Sequence, residues 1–72
     1  MKAYTIFWLT GKTQIIKGNS AEEAMNNAGI GAGALRAMDF YTIGNEINNW
    51  VWNKKDQSWN MTEEYKKIKF GV

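Results

Sequence analysis

The sequence predicts a small α+β fold: one domain with the element order ββαβββ, in which a single helix packs on one face of an antiparallel sheet. Three observations lead to this prediction. An alternating aromatic segment opens the chain, a capped amphipathic helix follows it, and a tryptophan-rich hairpin pattern lies further on. The length of 72 residues leaves no room for a second domain, so residues 1–72 are treated as one unit.

The N-terminal segment predicts a β-hairpin. Residues 3–9 are rich in β-branched and aromatic side chains, and both faces of the resulting strand are substantially apolar. We therefore expect an inner strand that is covered on two sides. The segment Thr10-Gly11-Lys12 is a short turn, and residues 13–17 return as the second strand. One face of the first strand carries Tyr4, Ile6 and Trp8, and the other face carries Thr5, Phe7 and Leu9.

A helix follows, starting at a capping box. The Ser20 hydroxyl can accept from the backbone N–H of Glu23, and the Glu23 carboxylate can reach back to Ser20. An apolar stripe of small residues lets this helix lie close to a sheet, and Gly29 is expected just past its end. The stripe consists of Ala21, Ala24, Met25 and Ala28.

The segment after the helix carries glycine at alternate positions 29, 31 and 33. Glycine at such positions serves unusual backbone angles or the close approach of another group. We predict a glycine loop, then a strand that begins near Arg36 and ends at Ile43. A short helix over Ala34 to Met38 competes with this prediction, because Ala, Leu, Arg and Met all favour helix.

Residues 50–53 and 58–61 predict a second hairpin around the loop 54–57. In this register Trp52 faces Trp59, Trp50 faces Met61 and Val51 faces Asn60, which collects the large apolar side chains on one side. Residues 62–72 fit either a short terminal helix or an edge strand with a frayed end.

Composition excludes much chemistry. The chain has no histidine and no cysteine, which removes the commonest general base, the Ser-His and Cys-His nucleophiles, and zinc fingers. We expect no enzyme activity, catalytic residue, metal or cofactor. The N-terminus lacks a signal-peptide pattern and no apolar run approaches a membrane span, so the cytoplasm is the expected location and a membrane is not an expected partner.

The glycine segment has two interpretations. As a ligand site, its backbone N–H groups form a nest for an anion, Arg36 grips a phosphate, and Asp39 binds a base or sugar. As structure, the glycines end the helix and turn the chain, and Asp39 lies at a sheet edge or in a bulge. We favour the structural interpretation. The candidate ligand-binding residues are Gly31, Gly33, Arg36, Asp39 and Tyr41.

The tryptophan hairpin also has more than one interpretation. Tyrosine and tryptophan dominate protein-binding hot spots, and aromatics beside lysines also suit single-stranded nucleic acid. Three aromatics on one face of a hairpin are more often simply the core. A net charge of +2 is too small to favour nucleic acid, which is the least favoured partner. The candidate partner-binding residues are Trp50, Trp52, Trp59, Lys54 and Lys55.

Two parts of the sequence carry a resemblance: Tyr4-Thr5-Ile6-Phe7-Trp8 with Gly11-Lys12, and the run from Ala28 to Tyr41. They resemble small proteins encoded by phages and mobile elements. The similarity covers roughly the first sixty residues and carries no activity with it. It implies a context, because accessory proteins of this kind commonly counter host defence, either by capping a host protein or by sequestering its nucleotide signal.

Two hypotheses follow. The first is a non-catalytic inhibitor that binds a host defence protein through an aromatic, Asn-rich surface. The second is an oligomer that holds a nucleotide-like anion at the Gly29–Arg36 segment. Oligomerisation is also the one stabilising device left to so small a chain, so a homo-oligomer is slightly favoured.

Overall fold

The computed structural model describes residues 1–71 and confirms the α+β fold class. The strands are β1 (Lys2–Trp8), β2 (Thr13–Gly18), β3 (Met38–Ile43), β4 (Trp50–Asn53) and β5 (Ser58–Met61). The helices are α1 (Ala21–Asn27), α2 (Ala32–Leu35) and α3 (Glu63–Phe70), and a 3-10 turn covers Ile47–Asn49. The strands form two sheets, a three-stranded antiparallel sheet in the order β2-β1-β3 and the separate hairpin β4-β5.

Strand β1 is the inner strand, as its two apolar faces predict. Its residues Tyr4, Thr5, Ile6 and Phe7 are all buried. Helix α1 covers one face over β2 and β1. On this face the buried side chains of Tyr4, Ile6, Ile16 and Ala24 form one core cluster, with Met25, Ile30 and Met38 packed around it.

The tryptophan hairpin covers the other face of the same sheet. The Phe7 ring stacks on Phe40 at 4.6 Å between centroids and meets Trp59 at 5.1 Å and Trp50 at 5.7 Å. The predicted hairpin register is confirmed, with Trp52 opposite Trp59 and Trp50 opposite Met61. The fold is therefore three layers: helix α1, the three-stranded sheet and the hairpin.

The ends of α1 follow the sequence signals with one difference. Ser20 caps the helix by accepting from the Glu23 N–H at 3.1 Å, as predicted. The Glu23 carboxylate, however, accepts from the Asn19 side chain at 3.4 Å. At the other end Gly29 takes a φ of +75°, and the Ile30 N–H donates to the Met25 carbonyl, which completes a Schellman motif.

The preferred loop-to-strand prediction for the glycine segment was wrong at its start, where the structure has a helix that overlaps the competing prediction. Residues 32–35 form the short helix α2, so Gly33 lies inside a helix, and β3 starts at Met38, two residues after Arg36. The N–H groups of Ala34 and Leu35 both donate to the Gly31 carbonyl, at 3.0 and 3.2 Å, which closes the helical turn. The residue types Ala and Leu favour this helix. Gly31 has a φ of −93°, so positive φ is needed only at Gly29 in this segment.

Of the two alternatives for the C-terminal segment, the structure has the helix. Thr62 caps α3 by accepting from the Tyr65 N–H at 3.2 Å. Tyr65 holds α3 against the body, since its hydroxyl donates to Glu46 Oε1 at 2.7 Å and its ring lies 6.2 Å from that of Trp50. The side chains of Ile68 and Phe70 remain exposed.

Candidate functional site

An open groove of about 370 Å³ lies between α1, α2 and β3 on the helix-covered side of the sheet. Its apolar walls are Met25, Ile30, Leu35 and Tyr41. Glu22 and Asn26 supply polar groups at its α1 side, and Gly31 also lines it. The groove is thus an apolar surface with one acidic rim residue, within the size range of a ligand or side-chain pocket.

The groove exists because α1 lies over β2 and β1 and leaves the same face of β3 uncovered. Tyr41 stays 43% exposed there, with its ring edge-on to Tyr4 at 6.1 Å, and Ile43 is 72% exposed. Leu35 on α2 is 42% exposed on the opposite wall. Three large apolar side chains therefore meet solvent on one patch, which we call the β3 patch: Leu35, Tyr41 and Ile43.

The β3 patch adjoins an open sheet edge. The Gly44 N–H donates to the Ala3 carbonyl at 2.7 Å, which sets the alternation of the ladder between β1 and β3. The backbone groups of Thr42 then point toward Thr5 of β1, and those of Tyr41 and Ile43 point outward. Because β3 is the last strand of its sheet, these outward N–H and C=O groups have no strand to pair with among residues 1–71.

Thr42 carries a further polar group without a partner. Its Oγ1 is buried and makes no hydrogen bond, whereas Oγ1 of the neighbouring Thr5 is fully used, donating to the Gly44 carbonyl at 2.6 Å and accepting from the Glu46 N–H at 3.0 Å. A buried hydroxyl without a partner costs stability. The middle of β3 therefore has unused hydrogen-bonding capacity in side chain as well as backbone.

The predicted ligand-binding residues do not converge. Gly31 and Tyr41 line the groove, and Gly33, Arg36 and Asp39 lie outside its walls. Arg36 is the exposed cap at the end of α2. Asp39 is exposed on the edge strand as the extra residue of a bulge, since Phe40 pairs with Phe7 and Met38 with Trp8. This is the structural interpretation given to Asp39 from sequence.

Two backbone N–H groups of the expected anion nest are already engaged within the chain. The Gly29 N–H donates to the Asn26 carbonyl at 3.1 Å, and the Ile30 N–H is taken by the Schellman bond to Met25. A Cβ at Gly31 or Gly33 would meet nothing within 4 Å, so no close packing inside the chain requires glycine there.

The predicted partner-binding tryptophans are half-buried and face the sheet. Trp59 Nε1 donates to the Trp8 carbonyl at 2.9 Å, and Trp50 Nε1 donates to Glu46 at 3.4 Å. The Trp52 ring covers Gly11, where a Cβ would come within 2.8 Å of it. These contacts pack the aromatic cluster against the three-stranded sheet. Lys54 and Lys55 are exposed in the loop between β4 and β5.

Several residues of the groove had no signal of function in the sequence. Met25 was assigned there to the apolar stripe of the helix, and Ile30 and Leu35 were given no role. One local hint existed, since Ile30 is a large apolar residue enclosed by Gly29 and Gly31. Within residues 1–71 no group of three or more acidic side chains is placed to hold a metal ion.

No helix in residues 1–71 has both the length and the apolar character needed to cross a membrane. Comparisons with protein-family models, with curated proteins and with solved structures give no match for this chain. The structural features that bear on function are the groove, the β3 patch and the open edge of β3.

Proposed function

We propose that this chain is a non-catalytic binding protein that inhibits a host protein by holding one of its segments against the β3 patch. The observation that carries the proposal is the coincidence of three exposed apolar side chains, an apolar groove and an unpaired strand edge at one place. Exposed apolar patches of this kind typically mark interaction surfaces.

Strand addition is the binding mode that this arrangement favours. An extended segment beside β3 would pair with the outward groups of Tyr41 and Ile43, and its alternate side chains would reach the groove. Backbone pairing supplies affinity in this mode, and the pocket supplies specificity. The groove wall of Met25, Leu35 and Tyr41 suits one large apolar side chain.

The opposite edge of the sheet is less suited to this role. Strand β2 carries Lys17, and the backbone carbonyl of Lys17 already accepts a hydrogen bond from Asn27 Nδ2 at 3.4 Å. Edge lysines discourage strand pairing, and β3 has no lysine or proline in its six residues. The asymmetry supports β3 as the edge that binds.

The class of target comes from two considerations. The resemblance to small phage and mobile-element proteins favours a host defence protein. The nucleotide alternative has less support, because the charged residue that lines the groove is Glu22, whose sign is wrong for a phosphate, and Arg36 lies elsewhere.

A charge placed on the β3 patch tests the proposal. Leu35→Asp puts a carboxylate on the groove wall, where a partner would have to desolvate it. Val51→Asp is the matched control, because Val51 is 52% exposed on the outer face of the hairpin. We expect wild type and Val51→Asp to retain the same proteins from host-cell extract. Leu35→Asp should retain at least about tenfold less of these proteins, which corresponds to about 1.4 kcal/mol of binding free energy.

Circular dichroism should show both variants folded. Equal retention by Leu35→Asp and Val51→Asp would rule out the β3 patch as the binding surface. A phosphate-bearing small molecule found on the wild type by native mass spectrometry, and lost in Arg36→Ala, would instead favour the nucleotide alternative.

A further inference from the structure

We infer that a second copy of this chain pairs its β3 with β3 of the first, antiparallel and about a two-fold axis at Thr42, so that the two sheets join into one. The inference starts from the open edge of β3, where the second copy takes the same outward backbone groups that the proposed target strand would use. It does not depend on the proposed function.

The outward backbone groups select the register. Only Tyr41 and Ile43 direct their N–H and C=O groups away from β1 in the regular part of the strand. Pairing Tyr41 with Ile43 of the second copy uses all of these groups on both chains. Pairing Tyr41 with itself would place Ile43 against the bulge at Asp39, and pairing Ile43 with itself would leave Tyr41 opposite Asn45 beyond the strand end.

The side chains suit this register. Tyr41 and Ile43 lie opposite each other twice, as an aromatic and a β-branched residue, which is a favourable cross-strand combination. Both are now exposed, at 43% and 72%. Thr42 lies opposite Thr42 in a pair without backbone bonds, where side chains approach most closely. A rotation about the Thr42 χ1 angle would let its partnerless Oγ1 form a hydrogen bond with the Thr42 Oγ1 of the second copy, across the axis.

The one charged residue of β3 meets a polar, uncharged residue in this register. Asp39 is the one charged residue of β3, and in this register it faces Asn45 of the second copy. The Asn45 Oδ1 accepts from the Ile47 N–H at 3.3 Å, which leaves Nδ2 directed to donate. No like charges oppose each other along the paired strands, so a carboxylate–amide contact closes each end of the ladder.

The dimer changes the groove. Opposite residues of an antiparallel pair point to the same face, so both α1 helices lie on one side of the joined sheet. Ile43 of the second copy then lies beside Tyr41 and extends the apolar floor of the groove toward the two-fold axis. A target strand of the proposed function needs the same outward groups of Tyr41 and Ile43, so it binds by displacing the second copy, and the dimer is the resting form of the chain.

A cysteine at the axis tests the inference directly. The chain has no cysteine, so Thr42→Cys introduces a single thiol. Directly opposed residues in a pair without backbone bonds have the separation that a disulfide needs. Under mild oxidation we expect Thr42→Cys to form a covalent dimer about tenfold or more faster than two controls, since the thiols are held together at high effective concentration.

The controls are Ile43→Cys and Val51→Cys, whose sites are more exposed than Thr42 and would cross-link faster by random collision. Faster cross-linking at Ile43 or Val51 than at Thr42 would overturn the inference. Light scattering of the cysteine-free wild type should give twice the 8.2 kDa chain mass, and a monomer throughout a dilution series would also overturn it.

The two proposals fail separately. A monomeric wild type that still retains host proteins, with Leu35→Asp losing them, contradicts the dimer alone. A dimer whose retained proteins are unchanged in Leu35→Asp contradicts the proposed function alone.

Discussion

Single glycines show how differently one residue type is used in this chain. Gly18 is buried beneath α1, and a Cβ there would lie 2.5 Å from the backbone nitrogen of Ala24 and 2.7 Å from its Cα. Gly33 lies in α2 with open space around its missing Cβ. Glycine is thus required for close packing at Gly18, whereas at Gly33 it only weakens a short helix.

Replacing each of these glycines by alanine should therefore change stability in opposite directions. Gly18→Ala should lower the free energy of unfolding by about 1–3 kcal/mol, because backbone atoms of α1 must move. Gly33→Ala should raise it by about 0.5–1 kcal/mol through helix propensity. Urea denaturation followed by circular dichroism measures both, and a loss of stability in Gly33→Ala would mean that α2 is not helical in solution.

At the scale of elements, α3 depends on one contact more than on its own sequence. Its N-cap Thr62 contributes about 1 kcal/mol, and the surface pair Lys66–Glu63 at 3.6 Å adds little. The hydrogen bond from the Tyr65 hydroxyl to Glu46 and the packing of Tyr65 on Trp50 connect it to the body.

The hydrogen bond to the Glu46 carboxylate raises the pKa of the Tyr65 phenol above its usual value of 10.0, with smaller contributions from desolvation and the carboxylate charge. A raised pKa means that the folded state favours the protonated phenol. Its contribution to stability is complete below pH 10.0 and is lost as pH rises through the pKa of the folded state.

We therefore expect Tyr65 to ionise at higher pH than a free tyrosine, and Glu46→Gln to bring its pKa back toward the usual value. An ultraviolet absorbance titration checks this. Subtracting the titration curve of the Tyr65→Phe variant removes the signals of Tyr4 and Tyr41. An unchanged titration in Glu46→Gln would show that the carboxylate does not accept this hydrogen bond in solution.

For the molecule as a whole, stability depends on a sheet covered on both faces. Helix α1 buries Ile6 on one side, and the hairpin buries Phe7 on the other. The Trp59 side chain connects hairpin and sheet twice, through its ring against Phe7 and through its Nε1 bond to the Trp8 carbonyl. Covering two faces lets 72 residues bury a core that one layer could not.

Trp59→Phe should consequently lower the free energy of unfolding by about 1–2 kcal/mol, from the lost hydrogen bond and ring area. The cost is limited because the Trp8 carbonyl keeps a bond from the Gly11 N–H at 3.1 Å. The control Val51→Thr, on the outer face, should stay within about 0.5 kcal/mol of wild type. Denaturation by circular dichroism compares the two, and equal stabilities would show that the hairpin is not held by Trp59.

The candidate site was only partly predictable. The sequence placed Gly31 and Tyr41 among the candidate residues, and the groove contains both. It also placed Arg36 and Asp39 there, but the turn of α2 and the bulge in β3 carry these side chains to exposed positions outside the groove. Helix and bulge change the direction of side chains, and a pattern of alternation assumes that neither occurs.

The sequence alone determined the elements whose signals are local. The Ser20 N-cap, the positive φ at Gly29 and the four-residue loop of the second hairpin depend on bonds between near neighbours, so each was predictable. The tertiary structure decided which apolar faces meet: that the strands form two sheets, that the tryptophans pack on Phe7, and that Tyr41 and Ile43 stay uncovered beside an open edge. These outcomes depend on packing between residues far apart in the chain, and hydrophobic burial is non-directional, so no short pattern specifies its partner.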